Sequence, residues 1–294
     1  MDKPAVIPPV RPIPEHAADP DLHVVYDDVK RRLGVPWVGV VVQAFAHYRR
    51  FFDHAYAQLR PALGSHYVER VATDLRLLSW QTVTERFTVT DQAATLRDDV
   101  GYSERELAEI RTLLDVFDYG NPKYFLLATI VKAGLAGGDT IGGIRPADPA
   151  DLLPRSPVTA ATVTPVMLEQ HHVDGSLREL YDDMKSGLGL PFVNSDYKAM
   201  ARWPTYLRLA WDELKPVLDT EPYLAVRQAL NDRCTTAARE LPYPYRLGRA
   251  ELADLGMAAG EIDELADVVS LFQSLLSGLI ANVTHFKIAM TGGN

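Results

Sequence analysis

Cysteine is nearly missing from this chain: its 294 residues include one, Cys234. A single thiol excludes an internal disulfide framework and any two-cysteine redox pair. Basic residues are the scarcer charge, 30 Lys plus Arg against 39 Asp plus Glu, which leaves a net charge of −9. An acidic chain has no electrostatic footprint for nucleic acid or for an anionic membrane surface, so neither is expected as a partner. Long apolar runs are lacking as well. The longest, Pro36 to Ala46, is interrupted by Gln43 and is far short of the roughly 20 residues that cross a bilayer. The first residues offer Asp2 and several prolines where a signal peptide needs a basic and then an apolar start, so the expected location is the cytoplasm. What the chain does have is 47% hydrophobic and 23% charged residues, enough to bury a core in two ordinary domains or one large one.

It also repeats itself. Shifted by 155 residues, Tyr26-Asp27-Asp28-Val29-Lys30 falls on Tyr181-Asp182-Asp183-Met184-Lys185, and Leu33-Gly34-Val35-Pro36-Trp37-Val38 on Leu188-Gly189-Leu190-Pro191-Phe192-Val193. From Tyr26 to Gly64, 14 of 39 aligned positions are identical, and Gly101, Glu106 and Phe117 later meet Gly256, Glu261 and Phe272. The simplest reading is two homologous halves. A Pro-rich arm covers residues 1–20 and the first repeat 21–136. A Gly/Pro-rich linker then spans 137–168, and the second repeat runs over 169–294. The linker glycines lack the Gly-Lys-Ser/Thr that would make a phosphate-binding loop.

Within each half the apolar period is helical. Pro36 and Pro191 are expected as first-turn prolines, followed by Trp37, Val38, Val41, Phe45 and Tyr48 on one face and by Phe192, Val193, Met200 and Trp203 on the other copy's. Ser103 and Glu106 form a capping box ahead of Leu107, Ile110, Leu113, Leu114 and Phe117. Gly120 is expected to close that helix and Pro122 to open the next. Only Gln81–Val89 has β character. The fold class is therefore all-α, two similar helical repeats related by an approximate two-fold axis within one chain.

A duplicated chain contains its own control. Where one copy is apolar and the other polar, the polar residue has a desolvation cost that packing does not explain. Asp196, with Phe192, Val193, Met200 and Trp203 on its face, matches Val41; it is either a working carboxylate or one accepting hydrogen bonds from a neighbouring helix end. Asn121 matches Leu276 and is either functional or an N-cap between Gly120 and Pro122. A carboxylate as general base and an amide as orienting group can together hold and activate a water molecule. His171-His172 followed by Asp174 reads as a surface pair rather than a metal site. Asp27-Asp28 and Asp182-Asp183 read as solvated, ion-paired helix faces beside Lys30 and Lys185. Cys234 reads as a packed thiol rather than a nucleophile.

The strings Val35-Pro36-Trp37-Val38, Tyr119-Gly120-Asn121-Pro122-Lys123-Tyr124 and Ser195-Asp196-Tyr197, with Ala201-Arg202-Trp203-Pro204, resemble the group I DL-2-haloacid dehalogenases. The resemblance extends from about Leu22 to Phe286. It implies an all-α pseudo-dimer, often a homodimer, that needs no metal or organic cofactor. Its substrates would be short halogenated carboxylic acids of either hand. An aspartate at Asp196, helped by an asparagine at Asn121, would activate water to displace halide from C2 with inversion and without an ester to the enzyme. Trp37, Val40, Tyr124, Ser195 and Phe272 would form the substrate pocket. Backbone N–H groups near Ser195, or the helix N-terminus after Pro36, are the donors expected to meet an anionic substrate. Two positions depart from the family pattern: Phe272 stands where a tyrosine is expected and Val40 where a larger aromatic residue is. Together they leave room for a homologue that turned to another substrate, and the hydroxyl lost at Phe272 is the one support for a non-catalytic homologue that binds small carboxylates. A redox role of the related peroxidase-associated fold fails on the cysteine count.

Overall fold

Residues 268–286 contain no Asp, Glu, Lys or Arg, a pattern that belongs inside a protein. The computed structural model describes residues 4–137, 140–143, 148–152 and 163–293. In it these residues belong to one long buried helix. The helices in chain order are α1 (Pro20–Leu33), α2 (Val40–Ala46), α3 (Arg49–Leu63), α4 (His66–Arg86), α5 (Gln92–Thr95), α6 (Glu104–Gly137) and α7 (Pro149–Leu152). They continue as α8 (Gly175–Leu188), α9 (Ser195–Met200), α10 (Pro204–Leu214), α11 (Glu221–Arg239), α12 (Arg249–Asp254) and α13 (Ala259–Ala289). Among the described residues there is no strand, only an isolated bridge between Ile141 and Tyr245. The fold is all-α. Of the expected linker, residues 138–139, 144–147 and 153–162 lie outside the described residues.

Helices α6 and α13 form the centre, with α4 and α11 packed against them. By length and composition α13 could cross a membrane, but 78% of its most apolar window is buried inside the molecule. The two central helices run antiparallel and are tied reciprocally. Lys132 donates to Gln273 Oε1 at 3.0 Å, and Lys287 donates to Asp118 Oδ2 at 2.7 Å; both the two lysines and their two acceptors are 155 residues apart. Other bonds recur at that spacing. The Tyr26 hydroxyl donates to the Ile13 carbonyl and the Tyr181 hydroxyl to that of Leu168. The Ile13 N–H donates to Gln43 and the Leu168 N–H to Lys198, each at 3.0 Å. Gly34 (φ 67°) and Gly189 (φ 59°) end α1 and α8 in the left-handed conformation that favours glycine.

The capping box forms: the Ser103 N–H donates to Glu106 and the Glu106 N–H to Ser103 Oγ. Four other expectations need correction. Helices α2 and α9 begin at Val40 and Ser195, four residues beyond Pro36 and Pro191. After Pro36, the Val38 N–H donates to Glu15 and Gln43 Nε2 to the Val38 carbonyl, which holds residues 35–39 as a loop. Trp37, Val38, Phe192 and Val193 therefore pack from loops. Gly120 and Pro122 do not break the chain: α6 runs through both. Residues 119–131 are all buried, so packing outweighs the hydrogen bond that an interior proline forfeits. The Gln81–Val89 stretch is helical as far as Arg86, because Val83 packs inward and Thr82 satisfies its hydroxyl on the Leu78 carbonyl. Last, Asp28 is buried rather than solvated, 6% exposed.

Asp28 is the anchor of α1 and α3. It accepts from Arg31, Arg32, Arg60 and Tyr56. Burial alone would raise its carboxyl, but the bonds from Tyr56, Arg32 and Arg60 outweigh that and hold it well below the usual range. Its counterpart Asp183 accepts only from Trp211 and Lys215 and is more open. Because Asp28 is more acidic folded than unfolded, its contribution is present above its ordinary value and fades as pH falls below it. Asp28→Asn is expected to cost about 1–3 kcal/mol of unfolding free energy at neutral pH, because the buried carboxylate on which Tyr56 and three arginines converge loses its charge-assisted hydrogen bonds. Urea denaturation at pH 7 checks this, and an equal change for Asp183→Asn would contradict the asymmetry.

Candidate active site

The first turns of α2 and α9 line one cavity of about 650 Å³. Around it the structure gathers all seven residues singled out from the sequence: Trp37, Val40, Asn121, Tyr124, Ser195, Asp196 and Phe272. Asn121 comes from the middle of α6, and Asp196 from the second position of the six-residue α9. Their side chains meet directly, Asn121 Nδ2 donating to Asp196 Oδ1 at 2.7 Å, with 4% and 3% of each residue exposed. The N-cap reading of Asn121 is thereby excluded. The pair leaves no gap for a water between them at this contact.

Desolvation dominates the electrostatics. Burial pushes the Asp196 carboxyl up to about 6, against the opposing pull of the Asn121 amide and its own backbone N–H. A carboxylate poised there is a stronger base than an exposed one and is still ionised at neutral pH. Behind it, the neighbouring Tyr197 is held by a buried chain in which Tyr223 donates to Asn282 and Asn282 to the Tyr197 oxygen, at 2.7 and 2.8 Å. These bonds tie short α9 to α11 and α13, so its direction does not depend on its own six residues.

The cavity wall is aromatic. Trp37 meets Phe117 and Tyr124 edge to face, with ring centroids 5.3 and 5.6 Å apart. The Tyr124 hydroxyl donates to the Trp37 carbonyl at 2.7 Å, so it is spent on fixing the loop. Two glycines make this packing possible. A Cβ on Gly120 would come within 2.3 Å of the Trp37 ring, and one on Gly39 within 2.8 Å of the Tyr124 ring. Phe272 stands edge to face with Phe45. Ser195 opens α9 with a half-buried side chain, and Val40 opens α2 opposite. Since α2 starts at Val40, the helix terminus expected after Pro36 lies four residues further on, still on the cavity.

Sequence reasoning missed part of the lining. Asn194, whose buried Oδ1 has no hydrogen-bond partner, Gln43 and Lys198 all face the cavity. So do Pro12, Pro14 and Glu15 of the arm and Pro165, Met167 and Glu169 of the later segment. The 155-residue spacing relates most of them across the cavity: Gly39/Asn194, Gln43/Lys198, Val10/Pro165, Pro12/Met167 and Pro14/Glu169 are all lining pairs at that spacing, as are Trp37/Phe192, Val41/Asp196 and Asn121/Leu276. Among the described residues no group of three His, Cys, Asp or Glu could hold a metal ion. Cys234 is remote from the cavity lining, buried against Thr129, and burial lifts its thiol to about 12.

A family model described as "Halocarboxylic acid dehydrogenase DehI" matches residues 36–186 and 191–281. The chain belongs to the DehI family. A protein named (R)-2-haloacid dehalogenase from Pseudomonas putida is 48% identical over 278 residues, 95% of this chain and 92% of its own length. Another of that name from Rhizobium sp. (strain NHG3) is 38% identical, covering 83% and 93%. A "2-haloacid dehalogenase, configuration-inverting" from Alcaligenes xylosoxydans xylosoxydans is 26% identical, covering 92% and 90%. Among solved structures, a D-2-haloacid dehalogenase with L-LA, and a mutant of one with D-2-CPA, each superpose with a TM-score of 0.94 at 46% identity. Each comparison covers 99% of both chains.

The buried carboxylate has a stability consequence. Its folded value lies above its ordinary 3.8, so folding is favoured while it is protonated and loses that advantage as pH rises through about 6. Asp196→Asn removes the charge. The variant should be more stable than the wild type by about 2–3 kcal/mol at pH 8, with the gain vanishing below about pH 4. Thermal melts across that range check it; a variant less stable at pH 8 would contradict the desolvation account.

Proposed function

We propose that this protein hydrolyses the carbon–halogen bond of short 2-haloalkanoic acids, releasing halide and the 2-hydroxy acid with inverted configuration. The observation that carries the reading is the Asn121–Asp196 contact, 2.7 Å long and closed off from solvent. Asp196 acts as general base on a water beside the pair. With Nδ2 committed to the carboxylate, Asn121 still has its amide oxygen to accept the water's second proton. Both hydrogens then have acceptors, and the lone pair faces C2. As the new C–O bond forms, the carbon–halogen bond breaks from the opposite side and the halogen leaves with the bonding electrons. Asp196 retains the proton until it exchanges with solvent. No ester to the protein forms, and no metal or organic cofactor enters the scheme.

Trp37, Val40, Tyr124 and Phe272 form walls that exclude bulk water from the attacking oxygen and leaving halide, and Ser195 sits beside the base as a hydroxyl donor for the substrate carboxylate. The names of the relatives support the reaction and the inversion. The two relatives at 48% and 38% identity carry (R) names, which favours the (R) enantiomer over the broader expectation of both. The lining residues paired at a spacing of 155 support the reading of two duplicated halves meeting at the cavity, each giving one polar residue, Asn121 or Asp196, whose counterpart, Leu276 or Val41, is apolar. The non-catalytic alternative rests on Phe272 alone, whereas the lifted Asp196 carboxyl suits a working base.

Asp196→Asn should lose halide release from (R)-2-chloropropionate by at least about a thousandfold while remaining folded; near-normal turnover would remove the mechanism. The wild-type kcat/KM should be level above about pH 6, the value to which Asp196 is lifted, and fall about tenfold per pH unit below it. In a single turnover in ¹⁸O-water with enzyme in excess, the label should appear in the hydroxy acid; label in the Asp196 side chain would establish an ester instead.

A further inference from the structure

An anionic substrate has to enter a protein of net charge −9 and approach a buried carboxylate. Long-range electrostatics oppose both steps. Among the described residues lining the cavity, Lys198 is the sole lysine or arginine. It lies two residues beyond Asp196 on α9, with 21% of its side chain exposed. Its ammonium pairs at 2.7 Å with Glu169, another lining residue, whose side chain is 43% exposed. The pair therefore stands where the cavity meets solvent. The positions 155 residues earlier are Gln43 and Pro14, both lining residues and both uncharged. The charge thus belongs to the half that carries the base.

We propose that Lys198 is the capture residue for the substrate carboxylate: at the cavity mouth it exchanges Glu169 for the incoming acid and hands it inward to the Asn121–Asp196 pair. The proposal rests on the haloacid reading for its substrate, but its recognition chemistry is that of any small carboxylate. Exchange is cheap because a half-exposed ion pair is weak and screened. Meanwhile the cation's surroundings are less solvated than the surface, which strengthens its hold on an anion. Glu169 is then a resident competitor that holds the ammonium at the mouth until substrate arrives. The plainer role, a tie between α9 and the segment around Glu169, makes a different prediction. Removing either partner of a tie does the same damage, whereas removing the cation and removing its competitor have opposite effects on capture.

The test compares Lys198→Gln, Lys198→Arg and Glu169→Gln in the full chain. Halide release is measured with (R)-2-chloropropionate, and binding of propionate, which has no halogen to lose, by calorimetry. Lys198→Gln should lower kcat/KM by about tenfold or more through KM, with kcat nearly kept, flatten its dependence on salt, and weaken propionate to a similar extent. Lys198→Arg should restore both, and Glu169→Gln should tighten propionate. The proposal is overturned if both neutral variants shift propionate affinity in the same direction, if Lys198→Gln leaves it unchanged, or if the wild type does not bind propionate. Should Lys198→Gln melt early, Lys198→Arg and Glu169→Gln still decide, since a tighter-binding Glu169→Gln has no place in a purely structural role. A wild type that binds propionate through Lys198 but releases no halide would refute the proposed function and leave this inference standing.

Discussion

A carboxylate kept from water and held by one amide is the constraint around which the rest of this protein is arranged. Taking a charge from water is costly, and a single hydrogen bond from Asn121 offsets only part of that cost, so the Asp196 proton binds more tightly than it would at the surface. The surroundings serve to keep that imbalance in place. Trp37, Phe117 and Tyr124 interlock edge to face and wall the cavity with carbon, and Gly39 and Gly120 give up their side chains so that the rings can close in. Tyr124 commits its hydroxyl to the Trp37 carbonyl, which leaves the carboxylate without a second donor from that quarter. Tyr197, Asn282 and Tyr223 then fix the short helix from behind, where their bonds cannot quench the base.

Much of this was legible in the chain because the sequence could be laid against itself at a shift of 155 residues. The helical period identified the class, and the unmatched polar residues Asp196 and Asn121 pointed to the cavity before any coordinates did. What was illegible shares one cause: local signals were overruled by packing that only the folded chain possesses. Gly120-Asn121-Pro122 is a helix boundary by local rules, yet α6 continues through it because every neighbour on that stretch is buried. The glycine that looked like a stop is a seat for the Trp37 ring. Gln81–Val89 has β-branched residues, but as far as Arg86 it lies on a helix that α6, α11 and α13 hold in place. Asp28, one of two adjacent acids, gave no sign of burial, because its partners Tyr56 and Arg60 arrive from the next helix. The arm and the segment before α8 escaped notice for another reason. Their prolines and extended backbone carry no amphipathic period, so their place on the cavity follows from hydrogen bonds to Gln43 and Lys198 rather than from pattern.

Under the proposed duplication, the more telling question is why the two halves are unequal where they meet. A faithful copy would put a second acid at Val41 and a second amide at Leu276, both of which line the same cavity. Two carboxylates in one desolvated space cannot both be ionised cheaply, so one would hold its proton near neutral pH and the other would become more acidic. The single lifted base that hydrolysis needs would be replaced by a coupled pair, and the substrate, itself an anion, would face two negative charges instead of one. An apolar counterpart to each polar residue avoids both problems. Val41 and Leu276, 3% and 5% exposed, present surface that can accept an alkyl group or a departing halogen and exclude the water that would stabilise the ground state. The asymmetry is thus a requirement of the proposed chemistry: the reactivity of the charge at Asp196 depends on the matching position, Val41, supplying none.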